Sequence, residues 1–204
     1  MFVETILSTF CWHLYFIILH HFFETKMAST ITSNTNVLII LSLNHLNMLS
    51  YMPYISIGYF AQNSYVVTLL FDKKDIFIYV SHHLMCMYVL NYMTTMNNID
   101  RYCVENIFYY FESSNLVNYF NYYLLKLNYK NTIIMDLFVI LQFIIYSSLR
   151  FIPYLDIYNC IKHINELFIF IYYAIYLVTI IISIRLFKKS IISANNIISV
   201  YKKY

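Results

Sequence analysis

Long apolar stretches separated by short polar segments dominate the sequence. An apolar stretch of about 20 residues can cross the hydrocarbon layer of a membrane as a helix. The stretch 37–71 is too long for one such helix, and we divide it at Pro53 because proline breaks a helix interior. The predicted spans are 3–23, 37–52, 54–71, 76–96, 104–125, 132–152 and 165–187. This pattern predicts an all-α, polytopic membrane helix bundle of seven transmembrane helices.

The composition favours the same class of protein. Hydrophobic residues make up 61% of the chain and charged residues only 11%, whereas a soluble domain carries about 25% charged residues. The first span lacks a basic leader region and a small-residue cleavage site, so we expect it to be retained. We therefore predict an N-terminal transmembrane helix and loop at 1–36, a six-helix membrane domain at 37–187 and a basic tail at 188–204.

The distribution of Lys and Arg predicts the orientation, because cytosolic loops of membrane proteins are enriched in these residues. If the tail is cytosolic and seven spans alternate, ten of the 13 basic residues face the cytosol. Only Arg101, Arg150 and Lys162 then lie on the other side. The expected topology has a lumenal N-terminus and a cytosolic C-terminus.

Several predicted spans contain polar residues, which are expensive in hydrocarbon. They are Gln62 and Asn63, the pair His82-His83, Glu112 with Asn115 and Asn118, and Asp136 with Gln142. Such residues normally face the bundle interior and mark a pathway or site. Polar side chains also hold helices together, usually for less than about 2 kcal/mol each, and that role is the alternative for each group.

The adjacent histidines are the strongest candidates for chemistry. A carboxylate near an imidazole orients the ring and raises its basicity, as a general base or nucleophile requires. We therefore group His82, His83 and Glu112 as candidate catalytic residues. Adjacent helical residues point about 100° apart, so we expect one ring to face a cavity and the other to bond with its neighbours. Adjacent histidines are a poor chelating pair, and we predict no metal site.

The order of several motifs resembles the TLC-domain family, which includes ceramide synthases, translocon-associated TRAM proteins and CLN-type proteins, and most of all its small TLC-domain-only members. The resemblance covers residues 37–187. It is carried by Gly58-Tyr59-Phe60 with Asn63, His82-His83, Glu112-Ser113-Ser114 with Asn118, and Arg150 before Pro153-Tyr154. It implies six core helices around a lipid-holding cavity, preceded here by one extra span. It also implies that Asn63, Asn118 and Arg150 contact the substrate.

The function implied by this resemblance is binding, sensing or modification of lipids in the endoplasmic reticulum or a related endomembrane. If the protein is an enzyme, the implied reaction is acyl transfer to a lipid amine, with acyl-CoA as co-substrate and no other cofactor. His82 or His83 would act as base or transient acyl carrier, and Glu112 would orient the ring. The implied partners are membrane lipids, namely acyl chains and sphingoid bases, and a second copy in a homodimer. No nucleic-acid partner is expected.

Departures from the family pattern leave other functions open. The chain has Asn63 where the family has Asp, and it lacks the proline of the third motif. The HD and SD pairs of ceramide synthases are replaced by Tyr109-Tyr110 and Glu112-Ser113. The alternatives are a non-enzymatic membrane protein of lipid homeostasis or assembly and a subunit of a respiratory complex.

Overall fold

The computed structural model describes residues 2–70, 73–160 and 166–201, and this part of the chain is all-helical. The α-helices, in chain order, are α1 (Phe2–Phe22), α2 (Thr25–His45), α3 (Met52–Leu70), α4 (Lys73–Met93), α5 (Asn98–Ser113), α6 (Leu116–Lys126), α7 (Ile133–Cys160) and α8 (Glu166–Tyr201). A short 3-10 turn at Leu49–Tyr51 precedes α3. Contacts divide the chain within α5 into a first unit, residues 1–109, and a second unit, residues 110–204.

Within the described ranges, three helices are long and apolar enough to cross a membrane: Val3–Phe22, Ile133–Pro153 and Ile169–Val200. They carry large apolar side chains on their outer surfaces, such as Phe10 and Leu177, which are 63% and 60% exposed. A helix that presents such residues outward matches a lipid environment better than water. The chain is therefore a helical membrane protein.

In the first unit, α3 packs against α1, α2 and α4. Ser8 Oγ and Trp12 Nε1 of α1 both donate hydrogen bonds to the Ile55 carbonyl of α3, over 3.2 and 3.0 Å. The two helices approach closely because α3 has Gly58 at this position. A Cβ atom on Gly58 would overlap Ser8 Oγ and lie 2.7 Å from the Thr9 backbone nitrogen. Small residues allow such close packing between membrane helices.

The polar segment 25–36, which we expected to be a loop, is helical and forms the first half of α2. The expectation was wrong because its hydroxyl groups bond to the helix's own backbone. Thr32 Oγ1 donates to the Ala28 carbonyl over 2.9 Å, and Ser33 Oγ donates to the Ser29 carbonyl over 3.0 Å. Each bond reaches the carbonyl four residues earlier, so these side chains need no water to satisfy them.

Other boundaries also differ from expectation. Residues 104–125 form parts of two helices, α5 and α6, and no single span. Helix α7 continues through Pro153 to Cys160, and α8 continues through most of the expected tail to Tyr201. The predicted interruption between 37–52 and 54–71 is confirmed, although α2 ends earlier, at His45. Pro53 lies in the first turn of α3, where its missing N–H has no intrahelical partner to lose.

The second unit contains an antiparallel pairing of α7 and α8. Phe143 packs on Phe187 with ring centroids 5.2 Å apart, and Phe151 packs on Tyr176 at 5.6 Å. Higher residue numbers on α7 therefore meet lower numbers on α8. Helix α6 packs on α7 through amide side chains, described below.

Candidate functional site

Four of the six candidate residues lie in two polar clusters, one in each unit. We call the first the histidine cluster: Ser33, Tyr59, Asn63, Ser64 and His83. We call the second the arginine cluster: Phe111, Glu112, Ser114, Asn115, Tyr146 and Arg150. The structure thus brings His83 together with Asn63, and Glu112 together with Arg150. The convergence of His82 or His83 with Glu112 stays a prediction.

His83 is the centre of the histidine cluster and is 5% exposed. Its Nδ1 atom lies 3.2 Å from Ser64 Oγ, and its Nε2 atom lies 3.5 Å from Asn63 Nδ2. Ser64 Oγ donates its own proton to the Phe60 carbonyl over 2.7 Å. Because Ser64 has no second proton to give and Asn63 presents an N–H, this bonding pattern places the ring proton of His83 on Nδ1.

The histidine cluster extends to a third helix. Asn63 Nδ2 also donates to the Tyr59 hydroxyl over 3.1 Å, and that hydroxyl donates to Ser33 Oγ over 2.8 Å. The Phe60 ring covers one side of the imidazole, with centroids 5.4 Å apart. Side chains from α2, α3 and α4 therefore form one continuous hydrogen-bonded network inside the first unit.

His82 has a different environment, as expected for adjacent positions on a helix. Its side chain is exposed, and its Nε2 atom lies 3.7 Å from Cys86 Sγ, one helical turn away. The two imidazole centroids are 5.8 Å apart. His83 thus bonds with its neighbours while His82 faces outward.

Arg150 is the centre of the arginine cluster. Its guanidinium carbon lies 4.9 Å from the centroid of the Phe111 ring and 4.6 Å from that of the Tyr146 ring. Nε donates to Ser114 Oγ over 2.8 Å, and Nη2 donates to the Phe111 carbonyl and to Asn115 Oδ1, both over 3.3 Å. Contacts with two aromatic rings and three hydrogen bonds from Nε and Nη2 fix the orientation of this planar cation.

Glu112 is 8% exposed and lies beside this cation. Its carboxyl interacts electrostatically with Arg150 and hydrogen-bonds to the Asn115 side chain. Within the described part of the chain, no ion pair within 4 Å joins this carboxylate to the guanidinium. Glu112 therefore lies in the electrostatic neighbourhood of Arg150 without forming an ion pair with it.

Amide side chains continue from the arginine cluster along α6 and α7. Asn118 Nδ2 lies 3.5 Å from Asn115 Oδ1, and Asn118 Oδ1 accepts from Gln142 Nε2 over 2.5 Å. Gln142 Oε1 in turn accepts from Asn121 Nδ2 over 2.6 Å. Asn118 is thus linked to Arg150 through Asn115. Among the described residues, no group of three or more His, Cys, Asp or Glu side chains is arranged to hold a metal ion.

Sequence reasoning missed several members of these clusters. One sequence feature could have indicated Ser64, namely its position beside Asn63 in an apolar stretch. Tyr146 also had such a feature, because it precedes Arg150 by four residues and so lies on the same helix face. Ser33 had none, since it lies in the segment that we expected to be a loop.

Comparison of the chain with protein-family models, with curated proteins and with solved structures finds no match. The function is therefore inferred from the two clusters and from the order of the sequence motifs.

Proposed function

We propose that the chain is an integral membrane protein that binds lipids through the polar groups enclosed by its helices, in the manner of the TLC-domain family that its motifs resemble. The observation that carries this proposal is the histidine cluster. His83, Asn63 and Tyr59 belong to the motifs that prompted the resemblance, and they contact one another across α3 and α4. Polar groups persist inside a membrane bundle where they serve a site or hold helices together.

For the membrane arrangement, we propose the seven-span topology, with the N-terminus in the lumen of the endoplasmic reticulum or a related endomembrane. The bias of Lys and Arg supports it. Cys103, which this topology assigns to the lumenal side, is disulfide-bonded. Disulfides persist in the oxidising lumen and are rare in the cytosol. Labelling of Cys103 with a membrane-impermeant maleimide tests this placement. Labelling that occurs only after a reductant is added supports it, whereas ready labelling from the cytosolic side contradicts it.

For the chemistry, we propose acyl transfer from acyl-CoA to a lipid amine, with His83 as the base. In the arrangement described, Nδ1 carries the ring proton and cannot accept another. Rotation of the Asn63 amide by 180° would present its oxygen to Nε2, move the ring proton there and free Nδ1 to accept a proton. The amine nitrogen would then bond to the acyl carbonyl as its proton passes to Nδ1, and the C–S bond of the thioester would break as that proton is returned to the CoA thiolate. Orientation of His83 by Glu112 stays a prediction and belongs to the same proposal.

A second candidate is a non-enzymatic protein of lipid homeostasis or membrane assembly. The observation that favours it is the closed bonding of His83, in which both ring nitrogens have partners and Ser64 donates to its own helix. In that case the cluster would hold α2, α3 and α4 together without taking part in a reaction.

Lipid analysis of cells that express wild type, His83→Ala, His82→Ala or an empty vector tests the proposal and separates the candidates. Mass spectrometry of lipids retained by the purified proteins is the second measurement. An enzyme predicts an acylated lipid that accumulates with wild type and is lost with His83→Ala. A binding protein predicts retained lipid without a new product. The proposal fails if wild type matches the vector and the purified protein retains no specific lipid.

A further inference from the structure

The guanidinium of Arg150 has one edge that the protein does not use. Its Nε and Nη2 atoms make the three hydrogen bonds described above, whereas Nη1 makes none with the described residues. The side chain is partly exposed. An arginine offers five N–H donors in a planar fork that matches carboxylate and phosphate oxygens. The donors of Nη1 thus have no hydrogen-bond partner among the described residues.

The charge of Arg150 is also incompletely neutralised. The acceptors that contact it are a hydroxyl, a backbone carbonyl and a carboxamide, all of which are uncharged. Glu112 lies beyond direct ion-pair distance, as described above. A cation in a membrane helix normally pairs with an anion or lines a polar cavity.

The protein itself orients the guanidinium of Arg150. The rings of Phe111 and Tyr146 pack against it, and Ser114 Oγ accepts a hydrogen bond from its Nε. Ser114 is itself fully buried and donates to the Phe111 carbonyl over 2.6 Å. Because the fork is already oriented, a ligand would not bear the entropy of ordering this long side chain.

We propose that Arg150 binds the oxyanion of an amphiphile, either the carboxylate of a fatty acid or the phosphate of a lipid headgroup, through its Nη1 edge. The inference rests on the proposed lipid-binding function and adds the charge of the ligand to it. The apolar outer surfaces of α7 and α8 would take the acyl chain, and Arg150 would take the anionic head.

Binding of radiolabelled amphiphiles to the full chain in detergent micelles tests this inference, at an alkaline pH where fatty acids are ionised. The probes are oleate, dioleoylphosphatidate, inorganic phosphate and the neutral analogue oleyl alcohol. We expect wild type to bind at least one acyl anion about tenfold or more tightly than oleyl alcohol, since hydrogen bonds to charged groups are among the stronger ones. Preference for oleate identifies a carboxylate, preference for phosphatidate a headgroup, and competition by inorganic phosphate alone a free anion.

The variants Arg150→Gln and Arg150→Lys test the residue. Arg150→Gln should abolish the preference for anions, and Arg150→Lys should keep part of it, because it retains the charge but not the planar, hydrogen-bonded guanidinium. Arg185→Gln is the matched control, because Arg185 is exposed on α8 and should leave the preference unchanged. The comparison of oleate with oleyl alcohol in wild type needs no variant and stays decisive if a variant does not fold.

Two negative results have different meanings. If wild type binds oleyl alcohol as tightly as the anions, or if Arg150→Gln and Arg185→Gln behave alike, the oxyanion site is wrong while lipid binding stands. If wild type binds none of the acyl probes, the proposed function fails as well.

Discussion

The Nδ1 atom of His83 on α4 lies 3.2 Å from the Oγ atom of Ser64 on α3. A base and a hydroxyl at this separation form the first half of a nucleophile pair, but Ser64 gives its proton to the Phe60 carbonyl. This contact joins α3 and α4, and the orientation of the Asn63 amide determines which nitrogen of His83 carries the ring proton.

The two adjacent histidines should differ in their effect on stability. His83→Ala removes a buried ring from Ser64 and Asn63, and we expect it to lower the free energy of unfolding by about 1–3 kcal/mol. His82→Ala changes an exposed side chain and should alter it by less than about 0.5 kcal/mol. Reversible unfolding in mixed micelles measures both. A larger loss for His82→Ala than for His83→Ala would contradict the burial described here.

Glu112 and Arg150 should be energetically coupled although they do not touch. Arg150→Met removes three hydrogen bonds and the cation near the buried Glu112 carboxyl, and we expect a loss of about 1–3 kcal/mol in unfolding free energy. Adding Glu112→Gln to that variant should recover part of this loss. A double-mutant cycle should therefore give a coupling of about 1–2 kcal/mol. Strictly additive effects would show that the two side chains act independently.

Gly58 should tolerate no larger residue. Gly58→Ala places a methyl group against α1, and we expect a loss of about 1–3 kcal/mol in unfolding free energy from the forced separation of α1 and α3. Ser8→Ala should not rescue this variant, because the Thr9 backbone nitrogen also lies too close to the new methyl group. Thr68→Ala, at an exposed position on α3, is the control and should be nearly neutral. Full rescue by Ser8→Ala would place the clash in the serine hydroxyl alone.

Asn47 should be replaceable by glycine but not by alanine. Its φ is +56°, a left-handed conformation that costs an alanine about 1–2 kcal/mol. We expect Asn47→Ala to destabilise the protein by roughly 1 kcal/mol and Asn47→Gly to leave it unchanged or slightly more stable. Asn44→Ala, inside α2, should have the smaller effect of an ordinary helix position. Thermal unfolding monitored by circular dichroism compares the three variants, and equal losses for Asn47→Ala and Asn44→Ala would exclude a conformational role.

The sequence predicts the helical membrane class well because apolar length and low charge are properties of each segment alone. It also indicates which spans contain polar side chains. It does not indicate which partners these side chains meet, because residue spacing sets a position along one helix but leaves the neighbouring helix and its rotation open. His83 was therefore found from the sequence, while its partner Ser64 was not.

Helix ends were predicted least well, and the asparagines explain part of this. The chain contains a single glycine, and Asn47 and Asn128 take the left-handed position that glycine usually occupies after a helix. After α2, Met48 N donates to the Leu43 carbonyl and Asn47 N to the Asn44 carbonyl. The same pattern follows α6, where Tyr129 N donates to the Leu124 carbonyl and Asn128 N to the Leu125 carbonyl. In a chain so rich in asparagine, these stop signals are hard to distinguish from the background.

Helix α8 runs without a break for 36 residues, which corresponds to a length of about 54 Å. The hydrocarbon layer is about 30 Å thick, and even a tilt of about 40° leaves α8 roughly 10 Å too long for it. Lys188 and Lys189 follow its most apolar part and suit the membrane boundary. The helical turns after Lys189 would then project from the membrane for roughly 20 Å. A change of about 10° in the tilt of α8 would move the end of this projecting segment by about 4 Å.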